Sequence, residues 1–149
     1  MAPFRLSQVV SITKCFFITF FLLLGASNIS AKETSLQAVE MTFLKSAPGQ
    51  RDNLKQFILL NWFAMDKIAK EQGLIESFTV MDSGTDEGTW NVLVSVTYNN
   101  ARGYEGIVTE FEKIRKAHIT VKVDGKALRD LGSIVESKKL LQDPKHHTP

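Results

Sequence analysis

Asn61 and His118 are the residues on which chemistry could rest. Residues 50–72 carry apolar side chains at helical spacing. On a wheel of 100° per residue, Leu54, Phe57, Ile58, Met65 and Ile68 fall within about 60° of one direction. Asn61 sits inside that stripe, about 20° from its centre. A buried amide without partners costs about 1–3 kcal/mol, so Asn61 must bond to backbone, to water or to a ligand. His118 ends a second apolar stripe, Tyr104, Ile107, Val108, Phe111 and Ile114. Histidine alone has an ordinary pKa near neutrality, so His118 is the candidate catalytic proton acceptor. It could equally cap its helix, where a cationic ring suits the helix dipole. Arg115, one turn earlier, can reach water or bind an anionic ligand.

These residues define a hypothetical cleft between the first helix and a sheet. Phe57, Asn61 and Met65 would line it, with Trp62 at its margin and Arg115 nearby. Apolar walls with a few placed polar groups are how small-molecule sites are usually built. The other chemistries are poorly served. The sequence has no G-x-S-x-G, no phosphate-cradling glycine loop and no paired histidines on a helix. "GTDEG" lacks the ligand spacing of a calcium loop and reads as a turn. His146 and His147 lie in the polar end "QDPKHHTP", which reads as a frayed tail rather than a metal site. No cofactor and no metal are expected.

The N-terminus has a different character. Arg5 and Lys14 precede an uncharged run from Cys15 to Ala26, and Ile29 and Ala31 suit the −3 and −1 positions of a signal peptidase. Residues 1–31 therefore read as a secretory signal, too short in its apolar part to span a bilayer. The expected location is periplasmic or secreted, with no membrane attachment after cleavage. The 18 basic and 16 acidic residues of the chain become 16 of each once Arg5 and Lys14 are removed. A net charge of zero without a basic stripe argues against nucleic acid. The remaining 118 residues contain no cysteine, so the core must carry stability alone.

The elements follow from periodicity. Residues 36–46 alternate as a strand, Pro48 and Gly49 break it, and the first helix runs over 50–72 up to Gly73. Residues 74–83 and 89–100 read as a hairpin joined by the polar turn 82–88. The second strand of that hairpin sets Trp90, Val92, Val94, Val96 and Tyr98 on one face. The second helix covers 102–117. Asp124-Gly125 marks a turn, 126–131 a short helical turn, and 133–141 the last strand. The order βαββαβ predicts an α+β, ferredoxin-like domain over 32–141, with both helices on one face of an antiparallel sheet and a flexible tail at 142–149.

"FLKSAPGQRDNLKQFI", "EQGLIESF" and "WNVLVSVTY" resemble the dimeric α/β-barrel superfamily, which includes antibiotic-biosynthesis-monooxygenase-like and stress-responsive members. The resemblance implies two sheets paired into a barrel, hence a homodimer. It allows three roles: a binder of a small apolar or aromatic molecule, a cofactor-independent monooxygenase using Asn61 and His118, or a scaffold without ligand. Haem-handling members use a histidine with asparagine and tryptophan, a set this sequence does not reproduce at matching positions.

Overall fold

The computed structural model describes residues 36–143. The expected signal at 1–31 and the histidines at 146 and 147 lie outside the described residues, as does nearly all of the tail. The elements are β1 (Gln37–Ser46), α1 (Arg51–Glu71), β2 (Ile75–Asp82), β3 (Val92–Tyr98), a 3₁₀ turn (Gly103–Gly106), α2 (Val108–Ala117), α3 (Leu128–Leu131) and β4 (Gly132–Gln142). The four strands form one antiparallel sheet in the order β2-β3-β1-β4. This is the ferredoxin-like α+β arrangement.

Local chemistry explains the boundaries. The Pro48-Gly49 turn places Gly49 at φ 69°, and the Gln50 amide bonds the Ala47 carbonyl at 2.9 Å. α1 ends where Gly73 adopts φ 72° and Leu74 N–H reaches back to the Ala69 carbonyl at 2.9 Å, a left-handed cap that needs glycine. On β1, Ala38 and Leu44 point to the helices and are fully buried, while Val39, Met41 and Phe43 point the other way. Cross-strand partners Leu44↔Val92 and Thr42↔Val94 continue the helix-facing side onto β3.

The core has two halves. Leu44, Leu54, Phe57, Ile58, Val92 and Leu131 form one. Ala38, Ala69, Ile75, Tyr98, Ile107 and Ile114 form the other, under the C-terminal half of α1.

Three details differ from the sequence reading. The second helix is broken: Gly103 at φ 70° starts a 3₁₀ turn, and the α-helix begins only at Val108. β3 starts at Val92, and Trp90 lies on the opposite side from Val92, edge-on to Phe43 with ring centroids 5.2 Å apart. The cause is Asn91, wholly buried, which bonds Ser46 N–H at 2.9 Å, Ser46 Oγ at 2.7 Å and Asp86 at 3.0 Å, and so fixes the chain before the strand begins. The third concerns Asp66, which helical periodicity places on the solvated side. Leu54, Ile58 and Ala69 are fully buried, whereas Ile68 is 42% exposed. The buried face is thus turned by about 40° from the apolar stripe, and Asp66 turns under with it.

Asp66 is 7% exposed and has no hydrogen-bond or ion-pair partner among the described residues. Burial lifts its pKa from 3.8 to about 7. Burial and then the Glu40 charge raise the Tyr98 hydroxyl too, and Tyr98 donates to Glu40 at 3.1 Å. The sign follows from proton counting. Between pH 4 and 7 the folded chain holds a proton on Asp66 that the unfolded chain has lost, so stability falls as pH rises through that window. A shift of this size corresponds to about 4 kcal/mol in total. Chemical denaturation of the Asp66→Asn variant from pH 4 to 8 should show this decline flattened. An unchanged slope would locate the pH dependence elsewhere.

Candidate functional site

The Asn61 amide is fully used. Its Nδ2 donates to the Phe57 carbonyl at 2.8 Å and to the Val121 carbonyl at 2.9 Å. Its Oδ1 accepts the Val121 N–H at 2.7 Å and lies 3.1 Å from His118 Nε2. Asn61 therefore pairs with Val121 as a neighbouring strand would, through both backbone groups at once. The partner is the extended connector after α2. That connector runs along α1 toward its N-terminus. It places Val123 in the core, turns at Asp124 and Gly125 (φ 49° and 74°), and meets Asn53 and Gln50 through Asp124 and Lys126. Positive φ at both central residues is the pattern that Asp-Gly favours.

The clamp also settles the histidine. Val121 N–H and C=O fix which end of Asn61 is oxygen, so neutral His118 must carry its proton on Nε2 to bond it. Nδ1 then holds the lone pair, with no partner among the described residues. His118 is half-buried at the C-cap of α2, its own N–H bonded to the Ile114 carbonyl at 3.1 Å.

His118 lines an open cleft of about 570 Å³ between α1 and α2. Ile68 and Gln72 come from α1; Glu110, Lys113, Ile114 and Ala117 come from α2; Ile119 follows His118. The apolar walls are interrupted by one amide, one carboxylate, one ammonium and one imidazole. This cleft lies between the helices, whereas the sequence pointed beneath α1. The space beneath α1 is occupied: Phe57 is 5% exposed and packed among Leu54, Val92 and Val94, with Trp62 against the same half of the core and Met65 against the other. Arg115 is turned to Glu112, which it grips through Nε at 2.7 Å and Nη2 at 2.5 Å. That guanidinium, helped by the Tyr104 hydroxyl, holds Glu112 down to about 2. Of the expected site residues, Asn61 and His118 are thus brought together, and Phe57, Trp62, Met65 and Arg115 do not line the cleft.

Sequence reasoning missed Ile68 as an exposed wall and Ile119 altogether. Ile119 is 86% exposed and stands alone after the helix, so no periodicity draws attention to it. Gln72, Glu110 and Lys113 read as ordinary solvated helix positions. Among the described residues no group of three or more histidine, cysteine, aspartate or glutamate side chains could hold a metal.

No family model and no curated protein matches the sequence. Two solved structures are similar. One is a protein assigned as a chlorite dismutase, with TM-score 0.44 and 9% identity, over 74% of this chain and 44% of that one. The chain thus spans less than half of that protein. The other is a dimeric protein of unknown function with a ferredoxin-like fold from Bacteroides fragilis, with TM-score 0.40 and 10% identity, over 72% of this chain and 95% of that one. Likeness at this level carries no functional argument.

Replacing Asn61 by leucine should destabilise the fold. It orphans both Val121 backbone groups, a loss of about 2 kcal/mol or more. Denaturation midpoints and faster hydrogen exchange at the Val121 amide would register it. An Asn61→Leu variant as stable as the parent would contradict the clamp.

Proposed function

We propose that this chain is an exported, homodimeric binding protein of the dimeric α/β-barrel kind. In this reading it holds a small apolar or aromatic molecule in the α1–α2 cleft. The observation that carries the reading is His118, held by a buried amide at the wall of a cleft that is otherwise mostly isoleucine and alanine. The volume of about 570 Å³ falls in the range of small-molecule sites. Ile68, Ile114, Ala117 and Ile119 would cover the ligand's body, and His118 Nδ1 would accept a hydrogen bond from its polar end. The cofactor-independent oxygenase is less well supported, because it asks Asn61 to orient a substrate and every bonding position of that amide is already taken.

Export is supported by the charged, apolar, small-residue order of residues 1–31. Assembly is supported by the outer strand β4, where Ile134, Val135, Leu140 and Leu141 are 46–58% exposed. Exposed apolar surface of that kind favours a partner.

Native mass spectrometry of the protein purified from its own host tests the reading. The expected species is a dimer carrying a small extra mass that the Ile68→Asp variant no longer retains. Ile68 is 42% exposed, so the added charge should leave the fold intact. A dimer of bare mass would overturn the binding role, and a monomer the assembly.

A further inference from the structure

Among the described residues β4 is an outer strand of the sheet, bonded to β1 on one side only. It is exposed along almost its whole length, and Ile134, Val135, Leu140 and Leu141 show 46–58% of their surface. An edge strand with that much apolar surface is a template for another strand. From its sequence, "GSIVESKKLLQ", we infer that the occupant is β4 of a second copy, paired antiparallel about a two-fold axis through Ser137. This refines the homodimer part of the proposed function.

The charges select the register. Glu136, Lys138 and Leu140 lie on one face of β4, opposite Phe43, Met41 and Val39 of β1. Ser137 and Lys139 lie on the other, and Lys139 is drawn toward Glu105 at 3.6 Å and the Arg102 carbonyl at 3.4 Å. Directly opposed residues in a sheet share a face, so a symmetric pair can slip only in steps that preserve this alternation. With Ser137 on the axis, Glu136 of each copy stands opposite Lys138 of the other. The two adjacent in-phase registers set Glu136 against its own copy, or Lys138 against its own copy, and like charges directly opposed repel. Lysines on an edge usually resist pairing; here they forbid the wrong registers and favour one. Within one chain Lys138 reaches Glu136 at 3.2 Å, both half-exposed. A second copy would make of these a row of four alternating charges. The bulge beside Val135 turns Ile134, opposite Leu44, to the helix side, whereas Leu140, opposite Val39, lies on the other face, so the apolar ends of β4 flank the charged pairs without meeting residue for residue.

A thiol at the axis tests this directly. Cys15 is the chain's one cysteine, so the test uses the chain carrying Cys15→Ser. There, Ser137→Cys should form a self-linked dimer under mild oxidation, because opposed residues in a sheet bring their Cβ atoms to roughly disulfide distance. Thr79→Cys on β2, the other edge, should not. Glu136→Lys should loosen the dimer about tenfold, and adding Lys138→Glu should restore it, since the exchange regenerates both pairs. A dimer whose Ser137→Cys form does not self-link, or whose double variant is not restored, would overturn β4 pairing and leave the homodimer standing. A monomer at all concentrations would overturn both.

Discussion

The fold hangs on one side-chain amide. Asn61 bonds both backbone groups of Val121 and so holds an extended segment, without any sheet of its own, against the flank of α1. Backbone polar groups at a packed surface must find partners, and the connector between α2 and α3 has few other means of doing so. From this anchor it lays Val123 into the core beside Leu54 and Leu131, then delivers the chain to β4. The same amide orients His118. Positioning of the connector and presentation of the imidazole are therefore a single event, and a disturbance of either is felt by both.

The two halves of the core differ in chemistry. The half near the N-terminus of α1 is hydrocarbon, and the polar groups that border it are paired: Asn91 with Ser46 and Asp86, and Lys55 with Asp82 at 2.6 Å. The half under the C-terminus of α1 contains Tyr98 bonded to Glu40, whose other oxygen receives the Tyr104 N–H at 3.0 Å, and near Tyr98 lies Asp66, without a hydrogen-bond partner among the described residues. The helix is thus firmly seated at one end and under electrostatic tension at the other. The cleft with His118 is walled by that second end.

Much of the architecture was legible in the sequence because it rests on period and punctuation. Alternation on β1 and β3, the glycine after α1, and the Asp-Gly turn each have one conformation that satisfies them. The interior of the site was less legible, for an angular reason. An apolar stripe tells which residues leave water but not toward which neighbour. A turn of about 40° in α1 moved Asn61 from the sheet to the flank, exposed Ile68 and buried Asp66. Asn61 was rightly singled out as an amide in need of partners. That its partner was an irregular segment sixty residues away could not be read from any local pattern. Trp90 misled because Asn91, a polar residue in a run of strand formers, breaks the alternation by what it bonds.

β1, the first strand of the sheet, lies between β3 and β4, and its register runs from Gln37 opposite Gln142 to Ser46 opposite Gly132. The first element of the domain is completed by the last. Sheets closed by contacts this distant in sequence form slowly, because the whole intervening loop must be ordered before the pairing is rewarded. A growing chain cannot finish this sheet until Gln142 has been synthesised. Until then β1 has an open edge, and the polypeptide remains pliable and threadable for longer than a helical bundle of the same size would.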